Sequence, residues 1–591
     1  MSRRSVLSGR VLGALVAVLA TITTAAGAAA GTASHGRDAE GRFDRPQPAF
    51  ASPRTVLRDA PPGRVGLDPA PIDAALTKID EWTRTHPDPL VKDHPLYSGA
   101  VTVLAHDGAV VSRSTSGYAV RYADAAGTEL PDAEKVPMRR NTIFDMASVS
   151  KLFTSLVVMQ LVEAGQVDLE APVSTYLPEF GVNGKESITV AQLLTHTSGL
   201  VSWIPLWSRY PDIPSRIQAV MDIAPRTTPG TNYEYSDLNL ITLGVLVERL
   251  TGERLDEVVA DRITRPLRMV DTGYNPPASK LDRIAATEFQ TAPPRGMVRG
   301  SVHDENAWSL GGVAGHAGIF STADDLAILA QTILNGGSYR GARILRPETL
   351  ALMLENHNEA FPANPHGYGF ELNQLWFMGA LAGPRTAGHT GFTGTDLVID
   401  LSSRSFAILL TNRVHPSRGW GSINLARETL GTGLAKALAV RPQHGRDSWY
   451  SGIGDASQST LTTVSLQPRG HVEVKFNAFV DSEITDPLTL EASVDGTTWT
   501  PVPLRVSGRG APDGEVVSLS GSGHRAWWQV RAHVPHAAEI TLRWHFVTNT
   551  RYTGRGVHVD GIIVTERGRL LLNGEKEPHK LQPDAWQRRS R

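Results

Sequence analysis

The feature that most constrains this fold is a change of hydrophobic period near residue 440. Upstream, Leu152, Leu156, Met159 and Val162 recur at helical spacing, and the pattern returns over 238–250, ahead of Thr251-Gly252, and over 326–334, ahead of Gly336-Gly337. Strand-like runs at 100–104 and 109–111 flank the turn His106-Asp107-Gly108, and two more lie near 395–400 and 405–411. Hairpin, helices, then strands again predict an α/β (α+β) domain over 63–440, with a helical subdomain and a sheet drawing strands from both ends. Downstream, Val472, Val474 and Phe476 alternate with polar residues, as do Leu488, Leu490, Ala492 and Val494, and again Ile540, Leu542, Trp544 and Phe546. Period two with turn signals between runs predicts an all-β sandwich, jelly-roll-like, over 445–568. Residues 569–591 read as a tail, with Arg588, Arg589 and Arg591 solvated.

A chain of 591 residues calls for more than one domain, and 41% hydrophobic with 20% charged residues is globular composition. A formal net charge of -2 gives no electrostatic reason to expect nucleic acid as a partner. Arg3-Arg4 precedes an apolar run over 11–22 and small residues over 24–33, the order of a signal peptide. The apolar run is shorter than the ~20 residues a membrane span needs. We therefore expect an exported, extracytoplasmic protein with a signal peptide at 1–33, whose arginine pair resembles a twin-arginine signal. Residues 34–62 carry Pro46, Pro48, Pro53, Pro61 and Pro62 and read as a linker with little fixed structure. The chain has no cysteine, which excludes disulfides and a lipid-anchored thiol.

The chemistry concentrates in three short motifs. Ser148-Val149-Ser150-Lys151 opens the first helix, where residues three apart share a face, so an ammonium can meet a hydroxyl. A serine needs such a neighbour to act as a nucleophile. Alone, this spacing arises often by chance and more commonly marks a capping serine followed by a surface lysine. Tyr235-Ser236-Asp237 precedes the second helix, and His389-Thr390-Gly391 opens a late strand. In this order and spacing the set resembles the serine β-lactamase and penicillin-binding protein family, closer to the class C type, over roughly 65–440. The stretches 192–200 and 315–322 agree with it.

The resemblance implies that Ser148 is acylated, that Lys151 and Tyr235 move its proton, and that the N–H groups of Ser148 and Phe392 form the oxyanion hole. It also implies that Asp237, His389, Thr390 and Gly391 bind substrate. Two departures stand out: Asp237 where the family carries an amide, and His389 where it carries a lysine. A titratable histidine makes recognition of a substrate carboxylate weaker or pH-dependent. His303-Asp304-Glu305, followed by Gly315-His316-Ala317-Gly318, resembles a subgroup of exported D,D-carboxypeptidase-like proteins and N-acetylmuramoyl-L-alanine amidases. That places His303 and Asp304 near substrate.

His303, Asp304, Glu305 and His316 are metal-ligand types, but no H-E-x-x-H spacing occurs, and we read a hydrogen-bonded loop over the cleft, with no metal and no cofactor. The expected activity is hydrolysis of peptidoglycan peptides or muropeptide amides. The alternatives are an esterase or weak β-lactamase on the same fold, and a scaffold that binds wall fragments without turnover. Trp449, Trp499, Trp527, Trp528 and Trp544 in the second domain are either sandwich core or contacts to cell-wall carbohydrate.

Overall fold

In a computed structural model that describes residues 41–591, the early hairpin forms as β2 (Gly99–His106) and β3 (Ala109–Val120) around the His106-Asp107-Gly108 turn. The expected signal peptide, and the linker up to residue 40, lie outside the described residues. On its other edge β2 pairs antiparallel with β7 (Ser405–Thr411), about 300 residues later, so both ends of the domain close one sheet. The order is β1 (Arg58–Asp59), β3, β2, β7, β6 (Thr395–Asp400), β5 (Thr386–Gly391) and β4 (Glu371–Leu372). β2, β6 and β7 are buried along their whole length, as their near-continuous apolar runs require.

Helices cover both faces. On one lie α2 (Ser150–Glu163), α3 (Asp237–Thr251) and α5 (Ala323–Leu334), whose Leu152, Leu156, Leu240, Leu243 and Leu326 share a core with Val101, Val103 and Ile408. On the other lie α1 (Pro69–Glu81) and α6 (Asn424–Ala437), packed through Ile72, Ile79, Leu430 and Leu434 onto Leu104, Val398 and Leu409. The short α4 (Glu305–Ser309) starts at the N-cap Asp304.

After residue 440 two antiparallel sheets face one another. Their inner sides meet through Val474, Phe476, Leu490, Trp544 and Val559. Trp528 and Trp544 are core residues at 1% and 0% exposure, so for these two the carbohydrate alternative falls away.

Two boundaries read from sequence need correction. Residues 41–62 are not a loose linker: Phe43 is buried, its N–H donates to the Ala439 carbonyl at 2.8 Å, and β1 pairs in parallel with β3. The prolines remove donors, but Phe43, Phe50 and Leu57 supply apolar anchors between them. Residues 569–591 are not a tail either. They form β-strands Arg569–Asn573, Leu581–Asp584 and Gln587–Arg589, each paired into the sandwich. The basic end is engaged: Arg588 pairs with Asp447 at 3.2 Å and Arg589 lies over the Tyr450 ring.

The two domains share a core. Phe479 of the sandwich belongs to the same apolar cluster as Phe43, Phe377, Met378 and Leu434 of the first domain. Among the described residues no helix is long and apolar enough to cross a membrane.

Candidate active site

The turn that carries Ser148 is built by a strained residue and a buried acid. Ala147 takes φ +46°, unusual for a residue with a Cβ, and its N–H is held by Asp145 Oδ1 at 2.9 Å. A short 3-10 turn over Ala147–Val149 then runs into α2 and leaves the half-buried Ser148 facing the cleft. The other oxygen of Asp145 accepts from the His303 N–H at 2.6 Å, and its carbonyl accepts from Thr393 Oγ1 at 2.7 Å. One buried carboxylate residue thus ties together the Ser148 turn, the 303 loop and the β5–β6 turn that carries Phe392. Asp145 was not singled out from sequence; its place three residues before Ser148 is the only signal it leaves there.

Gly391 is required by close approach. A Cβ there would sit 2.4 Å from the Met146 carbonyl and 2.0 Å from Thr395 Oγ1. The strand end therefore lies directly against the backbone that precedes Ser148.

Lys151 is 1% exposed and donates to Ser148 Oγ at 2.9 Å, to the His316 carbonyl at 3.2 Å and to Asp237 Oδ1 at 2.7 Å. Its ammonium lies 4.8 Å from the centre of the Tyr235 ring. Burial opposes the charge on Lys151, but Asp237 and then Tyr235 outweigh it and hold the ammonium above its ordinary range. Burial pushes the Tyr235 phenol up to about 12, against the pull of Lys151. Tyr235 is positioned by His196, whose ring packs 4.5 Å away and whose Nδ1 accepts from the Ser236 N–H at 3.1 Å. His196 sits at φ +59°, which turns the chain of the 192–200 stretch back under α3.

His389 differs from the expectation of a titrating group. Burial, reinforced by repulsion from Lys151, pushes it down to about 3, so it stays neutral at any ordinary pH. Its Nδ1 meets the Thr390 carbonyl at 2.8 Å, which accepts, so Nδ1 carries the proton and Nε2 is a lone-pair acceptor. That Nε2 is buried with no hydrogen-bond partner. Where a lysine would donate, this chain accepts. Positive charge comes instead from Arg413 and Arg427, which line the same cavity and were missed in the sequence because they lie far from the motifs.

His303 and Asp304 lie beside the cleft. The His303 ring pairs with Glu288 at 2.9 Å and stacks on Phe392, while Asp304 caps α4 and meets His316 Nε2 at 2.9 Å. Ligand atoms of Asp237, Asp304 and His316 come within 4.8 Å of one another, a grouping only partly the one drawn from sequence. Asp237 already holds the Lys151 ammonium, and a cation placed there would face that charge. Glu305 turns away to Arg418.

Two cavities meet at Ser148, Tyr235, Phe392 and Arg418. One has a volume of about 740 Å³ and reaches His389, Arg413, Arg427 and Trp376. The other, about 420 Å³, reaches Trp203, Asp237, Asp304 and His316.

A mixed sheet covered by helices, with a serine and a buried lysine at its edge, defines a hydrolase of the β-lactamase fold class. The family model described as Beta-lactamase matches residues 88–428, and the chain belongs to that family. An N-acetylmuramyl-L-alanine amidase of Bacillus subtilis is 34% identical over 348 residues, covering 54% of this chain and 78% of that protein. A putative D-alanyl-D-alanine carboxypeptidase of Salmonella agona is 31% identical over 402 residues, covering 62% and 88%. A penicillin-binding protein homologue of Caulobacter crescentus superposes with TM-score 0.49 at 21% identity, covering 63% of this chain and 99% of that one.

Proposed function

We propose that the chain is an extracytoplasmic serine hydrolase that forms an acyl-enzyme at Ser148 and cuts amide bonds of peptidoglycan peptides or muropeptides. The observation that carries this reading is the buried Lys151 ammonium, shared between Ser148 Oγ and Asp237 at the junction of two cavities. The matched amidase and carboxypeptidase support the substrate class.

In this reading Ser148 Oγ attacks the carbonyl carbon, and the N–H groups of Ser148 and Phe392 hold the developing oxyanion. The coupled Lys151–Tyr235 pair, once it has lost a proton, takes up the Ser148 proton through the Tyr235 oxygen, and Lys151 orients Ser148. The C–N bond breaks as the amine takes a proton from Tyr235. Water then cleaves the ester, and Ser148 is restored.

An esterase reading is favoured by one observation, the neutral His389, because a small ester needs no cation there. The two are separated by incubating the mature protein with purified muropeptides and with p-nitrophenyl esters, and identifying products by mass spectrometry. Release of peptide from muramic acid, or of D-alanine, establishes the wall substrate and names the bond. Ester turnover alone establishes the esterase.

Asp237 raises the proton affinity of both Lys151 and Tyr235. Activity that depends on a proton leaving this pair therefore climbs with pH, and removing the carboxylate charge lowers both affinities. Asp237→Asn is expected to move the rising limb of kcat/KM for a p-nitrophenyl ester down by about 1–3 pH units. A limb that stays in place, or moves up, contradicts the coupling.

A further inference from the structure

The two cavities that meet at Ser148 differ in charge. In the smaller, every carboxylate is already held: Asp237 pairs with Lys151 and Glu305 with Arg418, and Asp304 is hydrogen-bonded to His316 Nε2. Its rim carries Trp203 and Phe392, 41% and 48% exposed although each lines the cavity. Charge balance, fixed acceptors and an exposed indole suit a neutral, hydroxyl-bearing ring, which gives hydrogen bonds to carboxylates and stacks its C–H face on an aromatic.

The larger cavity has the opposite character. Arg413 donates only to the carbonyls of Phe392, Arg418 and Gly421 among the described residues, and Arg427 to those of Gly391 and Thr395 and to Asn424 Oδ1. The guanidinium groups are thus hydrogen-bonded to peptide carbonyls and form no ion pair; Glu371, which lines the same cavity near Arg427, has its carboxyl pushed up to about 7 by burial, and the buried His389 Nε2 waits for an N–H donor. A peptide bearing carboxylates and amide N–H groups satisfies both. At about 740 Å³ the space takes several residues, and a single departing amino acid would leave most of it empty.

Resting on the amide-hydrolase reading above, we propose that the Trp203 cavity holds the acyl half of the substrate as a pyranose sugar, and the Arg413 cavity holds the leaving peptide. The bond cut is then the amide joining the sugar's acyl substituent to the peptide. Ser148 Oγ bonds to the acyl carbon, the C–N bond breaks, and the amine takes the proton and departs on the Arg413 side. Water converts the sugar-side ester to a free carboxylate.

The test uses the full chain and Trp203→Ala, with two measurements. The first is kcat/KM on a muramyl dipeptide and on p-nitrophenyl acetate. The second is calorimetric binding of N-acetylmuramic acid, in the Ser148→Ala background. The expected result is a loss of roughly 5- to 100-fold in muropeptide kcat/KM and in sugar affinity, by analogy with aromatic stacking elsewhere, and a clearly smaller loss on the acetate ester, which brings no sugar ring to stack on Trp203. Equal loss on both substrates, or sugar binding that is absent or indifferent to Trp203, overturns the assignment. Weakened sugar binding with no muropeptide turnover in the native protein upholds the cavity assignment and sinks the bond reading. Turnover that ignores Trp203 does the reverse.

Discussion

Ser148→Ala is expected to lower ester and amide turnover by ~10⁴- to 10⁶-fold, as loss of a nucleophile does in other serine hydrolases, while leaving the fold intact. The side chain is half-buried and supplies one of three contacts to Lys151, whose ammonium keeps Asp237 and the His316 carbonyl. No buried charge is stranded, so thermal unfolding should be nearly unchanged. The next hydroxyl along, Ser150, cannot substitute: it is fully buried and its Oγ accepts from the Ile319 N–H at 3.0 Å. Steady-state kinetics and calorimetry on the two proteins check both halves. Residual turnover above about 1% of native would place the nucleophile elsewhere.

The second large effect concerns stability. Arg525→Met is expected to cost about 3–5 kcal/mol, the usual consequence of leaving one member of a buried ion pair alone. Asp400, at the end of β6, is 0% exposed, and Arg525 of the sandwich reaches it at 2.6 Å. Thr386, Ser402 and Ser403 also donate to that carboxylate, so hydrogen bonds remain, but its countercharge does not. Arg525 further donates to the Leu381 carbonyl and stacks on Phe43, 4.2 Å from the ring centre. The substitution therefore loosens three segments at once, 43, 381 and 400, where the two domains and the segment around Phe43 meet. Denaturant unfolding measures the loss. A change under 1 kcal/mol would mean the junction tolerates separation, and the sandwich would then be an independent module.

That junction also bears on the active site. Arg551 of the sandwich pairs with Glu428, next to Arg427 on α6, which lines the larger cavity. The second domain, read from sequence as a separate β-sandwich, thus grips the helix that carries one wall of the cleft.

Much of this was legible in the chain itself because it is local. Helical spacing marked α2, α3 and α5 to within a few residues, and the strands Thr395–Asp400 and Ser405–Thr411 fall where the apolar runs put them. Ser148, Lys151, Tyr235, Asp237, His389 and Phe392 are close in space as their motifs implied, since each motif sits at an element end that the sheet turns toward one cleft. The failures were of two kinds. Prolines at 46–62 and basic residues at 588–591 looked like loose chain because composition does not register a partner strand hundreds of residues away. His389 looked like a pH-sensitive group because a reference proton affinity carries no information about burial.

The sequence by itself determined which residues can do chemistry and on which elements they stand, since helical period, turn chemistry and motif spacing are properties of neighbouring residues. Only the tertiary structure decided their state. Burial and a neighbouring ammonium keep His389 neutral, and a carboxylate 86 residues away keeps Lys151 charged. Long-range packing places guanidinium groups that form no ion pair on one side of Ser148 and paired carboxylates on the other. Desolvation and Coulomb energies depend on distance through space, and that distance is set only when the chain has folded.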